Sequence, residues 1–252
     1  RGMKVALVEK IDFGYGTSSR SSKLVHGGIR YLANGEVNLV RESARERQVL
    51  QTIAPHLIHP IPFIFPLYKG DSTTKYRTGF TIFDKLAGVQ PSDQHRLLKP
   101  EEVRAMAPLL REPLKSGIMY GEYITDDARF TLANAQSAAK HGAYVANHAA
   151  VTEFIRDGKR VVGAVVKDTI SNEEYNITAK VTVNTTGPWA ETTLLKSNFT
   201  PPKRMLLSKG IHLLFHAERI PLEVAIELRS PTGKEGFAIR RLNYVYVGTT
   251  DI

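Results

Sequence analysis

Short apolar runs alternate with amphipathic stretches along the chain, and glycine, proline or aspartate bounds most of them. The first run, MKVALVE over residues 3–9, is of the kind that is buried on both faces of a parallel sheet. Apolar side chains from Val37 to Ile53 recur at helical spacing among charges, which predicts an amphipathic helix that ends at Pro55. The prolines of HPIPFIFPLY restrict that extended stretch to a sheet edge or an irregular segment.

The rest of the chain continues this alternation. Helical patterns follow at residues 80–86 and 101–107, SGIMYGEYIT predicts a strand, and DDARFTLANAQSAAKHG predicts a helix with an acidic start. Asp157-Gly158 predicts a hairpin that EEYNITAK extends with a third strand. VTVNTTGPWAETTLL predicts a buried strand, a Gly-Pro turn and a helix, and GIHLLFH, EVAIEL, GFAIRR and YVYVG alternate as strands. The order predicts a dinucleotide-binding α/β domain with a second, sheet-rich domain inserted through it.

Composition narrows the possible partners. The 252 residues include 34 Lys and Arg against 25 Asp and Glu, a formal charge of +9 that favours an anionic partner. The cations are spread along the chain instead of forming a basic run, which argues against nucleic acid. No apolar run approaches the length of a membrane span. The absence of cysteine excludes disulfides, thiolate metal sites and a cysteine nucleophile.

Both ends of the sequence interrupt a structural pattern. Arg1-Gly2 has the character of a helix end, the first strand pattern begins at once, and NYVYVGTTDI stops two residues past a strand pattern. We therefore expect a fragment that lacks both ends.

The segment TSSRSSKLVHGGIRYL, residues 17–32, concentrates hydroxyl and amide donors behind the first strand pattern. Such donors suit an anionic ligand, although a surface loop capped by Ser and Thr has the same composition. Glu9 closes the first strand, where a carboxylate binds ribose in dinucleotide-binding units, but a solvated charge is more common there. Thr185, Thr186 and Gly187 follow an apolar strand pattern, which favours either a ligand-binding strand end or a plain turn before a helix.

The histidines do not form a metal motif. His56 and His59 flank two apolar residues, and His212 and His216 share a face of one predicted strand. Neither pair has a carboxylate at useful spacing, so we interpret them as ordinary surface or core histidines. The sequence also contains no GxSxG elbow and no P-loop, which argues against a common hydrolase or kinase.

Several of these segments together resemble one enzyme family. GTSSRSSKLVHGGIRYL, LVRESARERQVLQTIAPHL, TDDARFTLANAQSAAKHGA, VNTTGPWA, KGIHLLF and YVGTTD are similar, in this order, to the FAD-dependent glycerol-3-phosphate dehydrogenases and the related oxidases. The resemblance implies an FAD-binding Rossmann-like fold of the glutathione-reductase type with an inserted, mainly antiparallel β-sheet substrate domain. It places the FAD-binding domain at residues 1–60 and 126–200, and the substrate domain at 61–125 and 201–252.

The resemblance also implies roles for individual residues. The implied FAD contacts are Glu9, Thr17, Ser18, Ser19, Ser21, Ser22, Lys23, His26, Gly27, Gly28, Thr186, Gly187 and Trp189. At Gly27 and Gly28, the lack of a Cβ would let the backbone approach the flavin ring closely. The implied substrate contacts are Arg30 on the phosphate, with Tyr31, Lys209 and Thr250. His212 is the candidate for the proton acceptor or for a hydrogen bond to the alcohol, although an arginine or lysine outside this sequence could serve as the base instead.

The implied activity is oxidation of sn-glycerol 3-phosphate to dihydroxyacetone phosphate, with a hydride passed to FAD and electrons passed to a quinone. Alternatives are an oxidase that uses oxygen, another FAD-dependent amine or hydroxy-acid oxidase, or a basic anion-binding module without activity. Quinone-linked members are peripheral membrane proteins, so we expect a cytoplasmic protein on the inner face of the cell membrane, or on the mitochondrial inner membrane in a eukaryote. The GxGxxG turn of such a fold is not in this sequence, so we expect this stretch alone to hold FAD weakly.

Overall fold

The computed structural model describes residues 2–196, 199, 204–230 and 235–250, with Arg30 and Lys196 as backbone only. The chain forms two compact units. The first unit is Arg1–Ser21 with Asp126–Leu207, and the second is Ser22–Thr125 with Ser208–Ile252. The compact units divide the chain at 21/22, 125/126 and 207/208, and the predicted bounds of the FAD-binding and substrate domains stay a prediction. The assignment of residues 22–60 to the FAD-binding domain stays a prediction.

Both units combine strands with helices. The strands are β1 Ala6–Val8, β2 Leu24–Val25, β3 Ile58–Tyr68, β4 Arg96–Leu98, β5 Leu114–Thr125, β6 Tyr144–Ala146, β7 Ala149–Asp157, β8 Arg160–Asp168, β9 Glu174–Thr178, β10 His212–His216, β11 Ala225–Arg229, β12 Glu235–Arg241 and β13 Tyr244–Gly248. The helices are α1 Ile29–Ala33, α2 Val37–Ile53, α3 Thr73–Ala87, α4 Pro100–Met106, α5 Asp127–Lys140 and α6 Ala190–Lys196. Among the described residues, no helix has the length and apolar character needed to cross a membrane.

The first unit combines a parallel strand pair with an antiparallel meander. β1 pairs in parallel with β6, and β7, β8 and β9 form the predicted three-stranded meander around the turn at Gly158. Helix α5 begins at its cap Asp126, whose carboxylate accepts the Arg129 amide at 3.1 Å. The helix ends before Gly142, which has a φ of +88°. Capping by a carboxylate and termination at a left-handed glycine explain why this helix was predictable.

Of the two buried strands predicted in this unit, the first is present but shorter and more exposed than predicted, and the second is absent. The first is shorter than residues 3–9, and Leu7 on β1 is 40% exposed. In the VTVN stretch, residues 181–184 form no strand, and Val181 and Val183 are 75% and 73% exposed. Burial requires a partner on each edge and a layer on each face. In the described part of the chain, β1 has one strand partner and residues 181–184 have none.

The second unit is built on one large sheet. Its order in the described residues is β10-β13-β12-β11-β3-β5-β2, with β4 also paired to β5. β3 and β5 form the long antiparallel centre. Phe63, Ile118 and Ile239 lie fully buried in one core cluster on this sheet. Helix α2 packs Val40 and Ala44 into a further cluster with α3, as the helical spacing predicted.

β3 is an interior strand, so the prediction that its prolines confine it to an edge is wrong. It pairs with β5 along its whole length but with β11 only at Phe63 and Ile64. The three prolines lie at even positions, so all three lack a donor on the same edge of the strand. The Pro66 carbonyl accepts from Arg229 of β11 at 3.4 Å, which identifies that edge as the one facing β11. The opposite edge keeps every donor for the β5 ladder.

Candidate functional site

The first half of the donor-rich segment lies in the first unit and is mainly locally organised. Thr17–Ser19 form a short 3-10 turn after Gly16, with Thr17 and Ser18 exposed. The Ser19 hydroxyl donates to the Gly16 carbonyl at 3.3 Å. The Ser21 hydroxyl donates to Asp127 at the start of α5 at 2.7 Å. The turn therefore presents hydroxyl groups at the surface next to a helix N-terminus.

The predicted Gly-Pro turn contacts this segment through Trp189. A Cβ on Gly16 would lie 3.1 Å from Cζ3 of the Trp189 ring, so the two segments are in contact. Asn184 shapes the turn, because its Oδ1 accepts the Thr186 amide at 3.2 Å and the Thr186 hydroxyl at 2.7 Å. Gly187 has a φ of +56°, a conformation that favours glycine. The turn is thus fixed by an Asx arrangement and a left-handed glycine.

Glu9 does not join this group. Its carboxylate accepts the Ile11 amide at 3.0 Å, and its backbone bonds to Ala146 and Ala149 at 2.9 Å each. A carboxylate used in this way shapes the bend that follows β1. A role on a ribose hydroxyl stays a prediction.

The second half of the segment lies in the second unit, where Ser22 contacts two strands of the large sheet. The Ser22 hydroxyl is 3.1 Å from Nε2 of His212 on β10. Its carbonyl accepts the Tyr246 hydroxyl of β13 at 3.2 Å. The His212 and Tyr246 rings meet edge to face, with centroids 5.8 Å apart. The structure therefore brings together the predicted residues Ser22 and His212 and adds Tyr246, which the sequence did not single out.

The surroundings of His212 favour its neutral form. Burial, and secondarily the positive charge of Lys23, hold the pKa of the His212 imidazole below its ordinary value. It faces Gly248 across the β10–β13 ladder, and a Cβ on Gly248 would lie 2.9 Å from Cδ2 of the His212 ring. A neutral imidazole can accept a proton or a hydrogen bond near physiological pH. His216, four residues along the same strand, instead packs against Tyr244, with the two ring centroids 4.9 Å apart.

His26 and Gly27 are bound to a buried carboxylate. Glu122 on β5 is 1% exposed, and its Oε1 lies 3.0 Å from Nδ1 of His26. Its Oε2 accepts the Gly27 amide at 2.9 Å and Nη1 of Arg47 at 3.0 Å. Arg47 projects from α2, is itself buried, and lies 4.9 Å from the Tyr123 ring centroid. A buried ion pair with a further backbone donor compensates the cost of removing the carboxylate from water.

The paired glycines owe their lack of a Cβ to the chain's own side chains. A Cβ on Gly27 would come within 2.9 Å of Cζ of Arg47, and one on Gly28 within 2.6 Å of Cδ2 of Tyr31. Gly28 also has a φ of +83° and precedes α1. A Cβ at position 27 would therefore displace the Arg47 guanidinium, and one at position 28 would meet the Tyr31 ring on a left-handed backbone that favours glycine. Close approach to a flavin ring stays a prediction.

The predicted substrate residues are distributed over this unit. Tyr31 is on α1 and is 37% exposed. Lys209 is exposed ahead of β10, and the Thr250 hydroxyl accepts the Ile211 amide at 3.1 Å. Arg30 is the second residue of α1, and its side chain lies outside the described part of the structure.

Comparison with known proteins identifies the family. The model of the DAO family, described as FAD dependent oxidoreductase, matches residues 1–252. The chain belongs to this family. It is also 41% identical over 254 residues to the aerobic glycerol-3-phosphate dehydrogenase of Bacillus subtilis, covering 100% of this chain and 46% of that protein. The corresponding Staphylococcus haemolyticus protein is 41% identical over 258 residues, again with 46% of its length covered.

A solved structure supports the same family assignment. The glycerol-3-phosphate dehydrogenase of Bacillus halodurans, complexed with FAD, matches with a TM-score of 0.80 at 36% identity. The match covers 100% of this chain and 43% of that one. The L-proline dehydrogenase of P. horikoshii, at 17% identity and a TM-score of 0.71, shows the fold alone. The predicted fold class is confirmed, and the chain spans a little under half the length of the curated relatives that it matches.

The donors of the first unit fit the cofactor of the DAO family. Thr17 and Ser18 present exposed hydroxyls, and the turn at Thr186–Gly187 belongs to the same unit. Neutral donors of this kind suit the phosphates and hydroxyls of a dinucleotide. The individual contacts with FAD, including those of residues 22–28 in the second unit, stay predictions.

The sequence analysis missed Glu122, Arg47 and Tyr246. A signal existed for Arg47, because it continues the buried face of α2 that Val40 and Ala44 define at helical spacing. Glu122 lies two residues after buried Tyr120, on the same face of β5, so its position in the strand also indicated burial. Arg47 and Glu122 could therefore have been identified as charged residues that lie on the apolar face of a predicted helix or strand.

Proposed function

We propose that the full-length protein oxidises sn-glycerol 3-phosphate to dihydroxyacetone phosphate with FAD as the hydride acceptor. The observation that supports this most is the 41% identity to aerobic glycerol-3-phosphate dehydrogenases across the whole chain. The 36% identical structure of a glycerol-3-phosphate dehydrogenase complexed with FAD adds to it. The reaction removes a hydroxyl proton and the C2 hydride from a secondary alcohol, which becomes a ketone. Bound FAD supplies a two-electron acceptor for that hydride.

His212 is the proposed acceptor of the hydroxyl proton. Its lowered pKa favours the neutral imidazole, and in the tautomer with the proton on Nδ1 the Ser22 hydroxyl at 3.1 Å can donate to Nε2 before substrate binds. The edge contact with Tyr246 limits rotation of the ring. His212 therefore combines the protonation state and the orientation that a general base requires.

Arg30 is the proposed ligand of the substrate phosphate, with Tyr31, Lys209 and Thr250 as further substrate contacts. A guanidinium matches two phosphate oxygens at once, whereas an ammonium provides a point charge. Arg30→Lys should therefore raise KM for glycerol 3-phosphate by about tenfold or more. An unchanged KM in a folded variant contradicts the assignment. Glycerol, which lacks the phosphate, is the control substrate, and its turnover should not change.

The activity is tested by mixing the oxidised, FAD-loaded full-length protein with glycerol 3-phosphate without oxygen. Loss of the flavin's visible absorbance, with formation of one dihydroxyacetone phosphate per flavin, supports the proposal. A flavin that glycerol 3-phosphate does not reduce, but an amino acid or another hydroxy acid does, contradicts it. Reoxidation of the reduced protein by a soluble quinone or by oxygen then identifies the acceptor. We propose a quinone, and rapid formation of hydrogen peroxide would contradict that part.

Peripheral association with the inner face of the cell membrane belongs to the same proposal. The formal charge of +9 favours an anionic surface, and a quinone is dissolved in the lipid phase. Sedimentation with vesicles is the test. Binding to vesicles with anionic lipid that weakens with added salt supports it, and failure to bind such vesicles at low salt contradicts it.

A further inference from the structure

Glu122 forms a clamp on the His26–Gly27 dipeptide. Each of its oxygens engages a different part of that dipeptide, since Oε1 contacts Nδ1 of the imidazole at 3.0 Å and Oε2 accepts the Gly27 amide at 2.9 Å. The side chain is 1% exposed, so water does not compete for either oxygen. Both the ring of His26 and the peptide that leads into Gly27 are thereby fixed by one carboxylate.

Arg47 closes the clamp from the other side. Its Nη1 donates to Oε2 of Glu122 at 3.0 Å, and its guanidinium occupies the space that a Cβ on Gly27 would need. The Tyr123 ring lies against the guanidinium at 4.9 Å. Arg47 can move away from Gly27 only by leaving the carboxylate, so ion pair and backbone position are coupled.

The clamp also determines which His26 nitrogen carries a proton. A carboxylate beside Nδ1 accepts a hydrogen from it, so Nδ1 is protonated and Nε2 is the nitrogen that Glu122 does not engage. The His26 ring is also packed edge to face on Phe237, with centroids 5.9 Å apart. Two contacts with defined directions leave the imidazole one orientation, with 28% of the side chain exposed.

We propose that Glu122, with Arg47 as its counter-ion, is the positioning residue for the FAD-binding segment of the second unit. It presents the His26 imidazole, protonated on Nδ1, and the Gly27–Gly28 backbone to the flavin in one arrangement. Neither residue touches the cofactor in this proposal; they act through His26 and Gly27. The inference rests on the proposed function to the extent that FAD binds at residues 22–28.

The chain contains a matched control for a purely structural pair. Asp84 on α3 is also a buried carboxylate, 4% exposed, and it accepts both the amide of His95 at 3.1 Å and its Nδ1 at 2.6 Å. It belongs to the same unit, but His95 is outside the donor-rich segment. Asp84 makes both contacts through Oδ2, and Asp84→Asn therefore perturbs a buried carboxylate–histidine pair of the same unit without touching the candidate site.

The experiment compares Glu122→Gln with Asp84→Asn in the full-length protein, by FAD fluorescence quenching and by nitrogen NMR of histidine-labelled protein. A glutamine retains one acceptor oxygen and places an amide among donors, so Glu122→Gln should weaken FAD binding about tenfold or more. The NMR signal of His26 should lose its uniform proton on Nδ1. Asp84→Asn should leave the Kd for FAD within about twofold, even where it lowers the melting temperature.

Equal Kd values of the wild type and Glu122→Gln for FAD would overturn the proposal. An equal loss of FAD affinity in Glu122→Gln and Asp84→Asn would also overturn it. So would a wild-type His26 without a proton on Nδ1. If Glu122→Gln does not fold, the double variant Glu122→Gln/Arg47→Met decides, because removing both partners avoids an unpaired buried charge. It should still bind FAD more weakly than the wild type, and wild-type affinity would overturn the clamp. A wild type that binds FAD but does not oxidise glycerol 3-phosphate would refute the proposed function. It would leave the clamp proposal open to its own test, because the comparison of Kd values for FAD does not depend on the substrate.

Discussion

The two halves of the donor-rich segment have similar residue types but are held in different ways. Residues 16–21, in the first unit, form a turn in which the Ser19 hydroxyl donates to the Gly16 carbonyl, and the Ser21 hydroxyl donates to Asp127 at the start of α5 in a solvent-exposed hydrogen bond. Residues 22–28, in the second unit, are fixed by side chains from α2, β5, β10 and β13. The contacts described for the first half lie at or near the surface, whereas those of the second half include the buried side chains of Glu122 and Arg47. Substitutions in the second half should therefore have the larger effects.

The largest effect is expected at His212. His212→Asn removes the proposed proton acceptor, and kcat for glycerol 3-phosphate should fall by a factor on the order of a hundred or more. His216→Asn is the matched control, because it replaces a histidine on the same strand that instead contacts Tyr244. Stopped-flow flavin reduction measures both. A His212→Asn variant that reduces its flavin as fast as His216→Asn would show that the assignment of the base is wrong.

Gly27→Ala should have the next largest effect. The added methyl group would overlap Arg47, which can yield only by breaking its bond to buried Glu122. Overpacking of this kind costs about 1–3 kcal/mol, and the free energy of unfolding should fall by that amount in urea titration. Combination with Arg47→Ala removes the obstacle, so alanine at position 27 should cost less in that background. Equal costs in both backgrounds would contradict this account of Gly27.

Lys23→Met should shift the acidic side of the pH–rate profile without abolishing activity. The rate should fall as pH drops through the pKa of His212, because the base must be neutral, and this pKa lies below the ordinary histidine value. Lys23 contributes to that lowering through like charge. Its removal should raise the pKa of His212 and shift the acidic limb of kcat/KM to higher pH. A limb that stays in place, or shifts to lower pH, would exclude this coupling.

The smallest effect is expected at Gly16. A Cβ there would lie 3.1 Å from the Trp189 ring, but that ring is 56% exposed and can shift toward solvent. Gly16→Ala should change the free energy of unfolding by no more than about 0.5 kcal/mol. Thermal or urea unfolding beside Gly27→Ala measures the contrast. A loss as large as that of Gly27→Ala would mean that the first half is also fixed by tertiary packing.

Local signals in the sequence were sufficient for most elements of the fold. Helix α2 followed from its apolar spacing, helix α5 from Asp126 and Gly142, and the meander from Asp157-Gly158. Each of these signals depends on residues close together in the chain. The exposed Val181 and Val183 show where the reasoning fails, because an apolar run predicts a strand only when another strand pairs with it.

Residues of the candidate site were predictable to a different extent. The segment from Thr17 to Gly28 and His212 followed from the family resemblance, and the structure places Ser22 beside His212. Glu122 and Arg47 did not follow, because their relation to His26 and Gly27 joins positions far apart in sequence. Only the fold shows that β5 and α2 bring these charges to the segment.

The prolines of β3 determine how two distant parts of the chain can align. Pro62, Ile64 and Pro66 lie along the edge of β3 that faces β11, and of these three only Ile64 has a backbone N–H. β11 pairs with β3 at this point, at Phe63 and Ile64. If β11 shifted by two residues in either direction, the β11 carbonyl that faces Ile64 would face a proline, which has no N–H to donate. The prolines should therefore disfavour such shifted pairings and favour the register in which β11 returns to complete the sheet.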